Sequence, residues 1–262
     1  MKREAFFDVP RTAMSISTGE VELPILYSDV SNITFLFAVD YEKVENKTRK
    51  FVLKPGLRWG KQAVVALAFY EYRKTSIGTY NEVGLAIPVL MQRQRAPFSS
   101  WLDLYSNLDN RRTGIFIIDL PVTTKLACAA GCEIWGYPKF ITNITFQLDN
   151  HSFSGRVMDP ESKNPIVTVC GKLGWGIPGP PMSLLLLSQK RDRQILAKVN
   201  VRGAVRIRRK GGVRLQIGDS DHVMAQNLRD LGLDNSQPFL SFSTQRFQSR
   251  LNVGEEIFHK SA

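Results

Sequence analysis

Apolar positions along the chain fall in runs rich in β-branched and aromatic residues, at 33–39, 63–72, 85–91, 115–120, 140–148, 166–173 and 198–208. Such side chains suit the pleated, half-buried surface of a strand, so most of the chain is predicted to be sheet. Over 198–208 apolar and polar residues alternate, which buries one face and projects Arg202, Arg206 and Arg208 from the other. Lys210-Gly211-Gly212 supplies turn chemistry, and 213–217 is predicted to return beside that strand as a hairpin.

Helix signals are few. A threonine cap at 123–124 opens a short helix expected to stop at Gly131. A second is expected from a cap at Asp219 or Ser220 to Gly232, and a third begins after Asp40 and continues to about Lys47. Gly176-Ile-Pro-Gly-Pro-Pro-Met182 is the strongest break and reads as a rigid loop or an interdomain linker. The expectation is a mainly β fold, a β-rich α+β class, with one domain over residues 1–262.

The 262 residues are 43% hydrophobic, 10% aromatic and 23% charged, a globular balance that excludes disorder, collagen and coiled coil for the bulk of the chain. Cys128, Cys132 and Cys170 fit neither a disulfide framework nor a paired zinc site, so reduced thiols are expected, with no metal and no cofactor. The N-terminus lacks a signal-peptide core and the leucine run at 184–187 is too short for a bilayer, which predicts a cytoplasmic protein with no membrane partner.

A net charge of +11 admits nucleic acid, an anionic surface or anionic substrates. The basic set Arg202, Arg206, Arg208, Arg209, Lys210 and Arg214 has no aromatic interleaving or RNA-binding motif, so it reads as a solvated face and no nucleic-acid partner is expected. His151, His222 and His259 assemble no triad with any serine.

The chemistry concentrates in Gly131-Cys-Glu133-Ile-Trp135-Gly-Tyr137-Pro-Lys139-Phe140, between the first predicted helix and a strand. Pro138 fixes the backbone beside Lys139, and Trp135, Tyr137 and Phe140 are expected to wall an apolar pocket. A nucleophilic lysine must be neutral. Lowering its pKa from about 10.4 to about 7–8 takes roughly 3 units, or about 4 kcal/mol, and burial supplies shifts of about 3 to 5 units.

Ala129-Ala-Gly-Cys-Glu133-Ile-Trp-Gly-Tyr-Pro-Lys139 resembles the active-site segment of the acetoacetate decarboxylase superfamily. A second segment, Tyr72-Arg-Lys-Thr-Ser-Ile-Gly-Thr-Tyr80-Asn-Glu82-Val-Gly-Leu-Ala-Ile-Pro, resembles the family stretch bearing a catalytic glutamate, and weaker likeness runs from about Leu23 to Glu255. The resemblance implies a large antiparallel or mixed sheet curled into a barrel with a few short helices, and a homo-oligomer. It makes Lys139 the Schiff-base residue and gives Glu82 the place of the family's active-site glutamate; Tyr80 and Glu133 are candidate pocket residues, Glu133 alternatively holding the loop through backbone N–H groups. It also exposes three departures: Phe140 stands where the decarboxylase has a second lysine, Val30 near the position of its carboxylate-binding arginine, and Leu67 near its other glutamate. Arg11, or another basic residue, is a candidate for the substrate-carboxylate contact in place of the arginine.

Three functions follow as expectations. The first is a Schiff-base lyase on a small keto acid, in its simplest form decarboxylating a β-keto acid. The second is an aldolase or dehydratase acting on an α-keto acid. The third is a basic binding module without catalysis, which would leave Lys139 in solvent, away from Glu82.

Overall fold

The computed structural model describes residues 6–91 and 97–257, so His259 lies outside the described residues. The first half of the chain forms β1 (Thr12–Ile16), β2 (Gly19–Leu23), β3 (Ile25–Val39), α1 (Tyr41–Thr48), β4 (Leu53–Pro55), β5 (Arg58–Trp59), β6 (Gln62–Thr75) and β7 (Tyr80–Met91). Then come α2 (Ser100–Asp103), β8 (Gly114–Asp119), α3 (Lys125–Trp135), β9 (Ile144–Leu148), β10 (Ser152–Met158), β11 (Pro165–Lys172) and β12 (Gly176–Gly179). The chain finishes with β13 (Leu184–Lys190), β14 (Arg193–Gly203), β15 (Val205–Arg209), β16 (Arg214–Ile217), α4 (Val223–Asp230) and β17 (Leu240–Ile257).

Seven strands close on themselves in the order β3-β6-β7-β8-β13-β14-β17, with β17 pairing back to β3. Closure leaves these strands no free edge except where β17 extends to β15 and β12. Every junction is antiparallel except β8 to β13. The sheet curled into a barrel is therefore present, within a mixed α+β fold carrying a few short helices.

Long apolar runs in β6 and β7 have a specific cause: both faces are covered. Phe35, Leu67, Phe69, Leu85 and Ile87 point outward and pack on a second, four-stranded sheet of β16-β11-β10-β9 and on Met224 and Leu228 of α4. Phe153 of β10 is the hub, its ring 5.3 Å from Phe35 and 5.1 Å from Phe69. Each such buried side chain stabilises the fold by about 1.5–3 kcal/mol. The intervening residues, among them Ala66, Ala68, Gly84 and Ala86, face the barrel interior and are too small to fill it.

The structure corrects several expectations. β16 does not return beside β15; it leaves the barrel and pairs with β11 of the second sheet, because Leu215 and Val213 bury in the core between the sheets. Nor is 198–208 one strand. It breaks at Ala204 into β14 and β15, both on β17. Arg208 is buried, donating from Nε to Ser243 Oγ at 2.7 Å and from Nη1 to Gly174 O at 3.2 Å, and Arg214 sits on the other sheet, so the basic set shares no single face. Gly176–Gly179, expected as loop or linker, is an edge strand on β15. The α4 cap is His222, whose Nδ1 accepts from Met224 N at 3.1 Å, while Ser220 is held by Asp159. α1 begins after Asp40 as expected, the Asp40 carboxylate accepting from Glu42 N and Lys43 N.

Candidate active site

α3 continues through Gly131 and ends at Gly136, which takes the left-handed conformation at φ 67° that favours glycine. Gly131 is not the stop because its function is clearance: a Cβ there would fall 3.3 Å from Lys139 Cγ and closer still to Cδ and Cε. The chain reverses as Tyr137 N donates to Gly131 O at 3.0 Å. This lays the lysine side chain back across its own helix.

Main-chain hydrogen bonds then clamp the segment on both sides of Lys139. Leu120 N donates to Pro138 O at 3.1 Å and Val122 N to Phe140 O at 2.9 Å. Val122 also forms an antiparallel bridge with Glu82 on β7. Backbone register, rather than side-chain reach, thus brings together two residues 57 positions apart. Lys139 Nζ donates to Glu82 Oε2 as a direct ion pair, with side chains only 6% and 10% exposed.

Tyrosines surround the pair. Tyr72 Oη donates to Glu82 Oε1 at 3.2 Å, Tyr80 Oη donates to Tyr27 Oη at 3.3 Å, and Lys139 Nζ stands 6.0 Å from the centre of the Tyr80 ring. Burial first, together with the charge of Glu82, holds the hydroxyls of Tyr27, Tyr70, Tyr72, Tyr80 and Tyr137 well above the usual phenol range. They stay protonated at neutral pH. Tyr137 lines the cavity and its hydroxyl finds no partner among the described residues.

The pair lies in the wall of a cavity of about 440 Å³ inside the barrel. Trp135, Tyr137, Tyr80, Glu82 and Lys139 all line it. Trp135 is fixed by donating from Nε1 to Asn252 O at 3.1 Å and by stacking on Tyr137 at 5.9 Å.

Two residues expected in the pocket lie elsewhere. Phe140 follows Lys139 on a backbone that alternates sides, so its ring leaves the cavity lining and packs on His222 at 4.2 Å. Glu133 is exposed on the outer side of α3, where it accepts from Ser17 N at 2.9 Å and from Ser17 Oγ; those hydrogen bonds hold its carboxyl below the usual range. Arg11 pairs with Glu22 and does not line the cavity, and neither Val30 nor Leu67 does.

Sequence reasoning assigned no role in the site to Tyr72, Tyr27 or Tyr70, and read Gly131 only as a helix stop. A signal existed for two of them, since alternation along 63–72 puts Tyr70 and Tyr72 on one strand face. Their register opposite Glu82 and Tyr80 came only with the β6–β7 pairing. Burial pushes the Cys128 thiol up to about 11, with Cys132 adding to the effect, so it is not a thiolate at neutral pH. Among the described residues no group of three or more histidine, cysteine or acidic side chains is placed to hold a metal, and no helix is long and apolar enough to cross a membrane.

The barrel is shared with solved structures. It superposes on acetoacetate decarboxylase of Legionella pneumophila with a TM-score of 0.61 at 17% identity, covering 98% of this chain and 94% of that one. The enduracididine biosynthesis enzyme MppR, complexed with the condensation product of pyruvate and imidazole 4-carboxaldehyde, aligns with a TM-score of 0.64 at 12% identity, covering 97% and 100%. An acetoacetate decarboxylase-like enzyme from Sphingomonas wittichii RW1 aligns at 0.59 and 13% identity, covering 91% and 94%. At these identities the likeness establishes the fold alone. No curated protein matches by sequence. The sequence profile of the acetoacetate decarboxylase (ADC) family, however, matches residues 12–199, well over half of the 262-residue chain. The chain therefore belongs to the acetoacetate decarboxylase family.

Proposed function

We propose that this chain is a Schiff-base lyase acting on a keto acid, with Lys139 as nucleophile and Glu82 as the group that takes and returns its proton. One observation carries this reading: Lys139 Nζ and Glu82 Oε2 are in direct contact, nearly excluded from solvent, at the wall of an apolar cavity. A binding module would have no use for that arrangement.

The carboxylate removes a proton from Nζ, and the neutral amine attacks the keto carbon. The carbonyl oxygen leaves as water, taking the proton that Glu82 held and one of the two that remained on the nitrogen. A protonated imine remains, its positive charge still facing the regenerated carboxylate. In a β-keto acid the bond to the carboxylate carbon then breaks, its electron pair moves into the imine, and carbon dioxide departs. A proton from water, relayed by Glu82 once it is reprotonated or by the Tyr137 hydroxyl, converts the enamine back to an imine. Water finally releases the ketone and the amine. Apolar walls favour the cleavage because the negative charge of the carboxylate is lost in it.

Aldolase or dehydratase chemistry on an α-keto acid is the second reading, motivated by Phe140 in place of a second lysine and by the likeness to MppR. It calls for a lasting partner for the substrate carboxylate. Among the described residues Lys139 is the one cationic side chain lining the cavity, which favours a carboxylate that leaves.

Borohydride reduction in the presence of a keto-acid panel, followed by mass mapping, tests the proposal. A stable adduct on Lys139, absent from Lys139→Ala, is expected, along with carbon dioxide release from the β-keto acids. An unmodified protein across the whole panel, with turnover untouched by Lys139→Ala, would end it.

A further inference from the structure

A keto acid as small as acetoacetate would occupy only the Lys139 end of the cavity. The void measures about 440 Å³, in the range of about 300–1,000 Å³ that encloses a drug-sized molecule. Its lining on β7 runs from Glu82 to Pro88, about 20 Å of extended strand. The space is left by residue choice: Ala66, Ala68, Gly84 and Ala86 face inward while their neighbours Leu67, Phe69, Val83 and Leu85 face outward. Had the larger residues pointed inward, the barrel would be a packed core.

Beyond the tyrosines the wall turns apolar, through Leu57, Trp101, Leu104, Met182, Leu240 and Phe242. The polar side chains Asn32 and Thr34 are already satisfied, Thr34 Oγ1 donating to Asn32 Oδ1 at 3.2 Å and Asn32 Nδ2 to Phe69 O at 2.9 Å. Leu102 and Tyr105 line the same end and are exposed, so the cavity reaches the surface there. Apart from tyrosines and Thr34, Thr244 and Ser249 are the other hydroxyls among the described lining residues, so a charged substituent would find few partners along this wall, while an alkyl chain would meet mostly carbon.

We propose that the substrate is a β-keto acid whose keto carbon bears an extended alkyl chain, with its carbonyl at Lys139 and its tail along β7 toward Trp101. This rests on the Schiff-base reading. The step balances without a further reactant: the imine nitrogen replaces the carbonyl oxygen, which leaves as water. The carboxylate departs as carbon dioxide, a proton takes its place on carbon, and hydrolysis yields the long-chain methyl ketone.

Each methylene that enters the cavity should tighten binding about fourfold. The test is borohydride trapping of the full chain with acetone, 2-octanone and 2-undecanone, read by intact mass, beside kcat/KM for 3-oxobutanoate and 3-oxononanoate. The concentration that half-labels Lys139 is expected to fall on the order of a hundredfold or more from acetone to 2-octanone, and kcat/KM to rise in parallel. Ala68→Phe and, independently, Ala66→Phe obstruct the tail path and are expected to abolish the long-chain advantage. Labelling equal at all lengths, or a long-chain advantage that survives in both folded variants, would overturn the proposal. If no ketone labels the protein while 2-undecanone still quenches tryptophan fluorescence saturably, the Schiff-base reading fails and the apolar cavity stands without it.

Discussion

Gly131→Ala separates stability from catalysis at one atom. Inside an α-helix this change ordinarily stabilises by about 0.8–1.0 kcal/mol, because alanine loses less backbone freedom than glycine. Here the added methyl would sit 3.3 Å from Lys139 Cγ and deeper inside the envelopes of Cδ and Cε. Carbon atoms rest about 3.5–4.0 Å apart, so the outer half of the lysine must retreat by on the order of 1 Å. The backbone clamp at Leu120 and Val122 keeps the segment in place, which leaves the side chain to absorb the shift and pulls Nζ from Glu82. A displacement of about 1 Å at a reacting atom costs on the order of a hundredfold in rate. The variant should therefore melt within a few degrees of the parent yet trap ketone with borohydride about a hundredfold more slowly. Wild-type trapping in a folded Gly131→Ala protein would show that the close packing on the helix does not position the amine. A large loss of stability would show that the helix, not the lysine, yields.

Three further outcomes follow from the same geometry. Lys139→Met leaves the Glu82 carboxylate buried without its cation and is expected to destabilise by about 3–5 kcal/mol in denaturant unfolding, whereas Lys139→Met with Glu82→Leu should recover most of that; additive losses would argue against the pair. Tyr72→Phe removes the donor to Glu82 Oε1, a hydrogen bond to a charged group worth about 1.5–3 kcal/mol, so kcat/KM should drop roughly 10- to 100-fold, and an unchanged value would remove Tyr72 from the site. Asp119, buried on β8 with Asn227 Nδ2 donating at 2.9 Å, is pushed up from 3.8 to about 6 by burial. Between those values the folded chain binds a proton the unfolded chain releases, so this group adds stability as pH falls from about 6 toward 4 and withdraws it above about 6. Any stability advantage of Asp119→Asn over the parent should accordingly shrink by about 2–3 kcal/mol between pH 8 and pH 4; a pH-independent difference would refute the assignment.

Residue order alone determined that this is a sheet protein, that Asp40 caps α1, and that the Lys139 segment and Glu82, which the fold brings into contact, are the candidate site. Those are local matters: β-branched runs, a capping aspartate and a motif within a dozen residues each act over a few positions. What tertiary structure decided was every question of sides and partners. Alternation in 63–72 says that two faces differ, but not that Leu67 meets a second sheet while Ala66 and Ala68 border a void. The turn chemistry at 210–212 pointed to a hairpin, yet burial of Leu215 between the sheets outweighed the convenience of a short return. Phe140 looked like pocket wall because it adjoins the lysine, and the alternating backbone turned it away. Gly131 looked like a helix stop because glycine usually is one, and only the folded-back lysine shows that its missing side chain makes room for the amine. Pairing energies are summed over the closed barrel, so they belong to no single segment, and it is they that place Lys139 against Glu82 and leave the cavity beside them open.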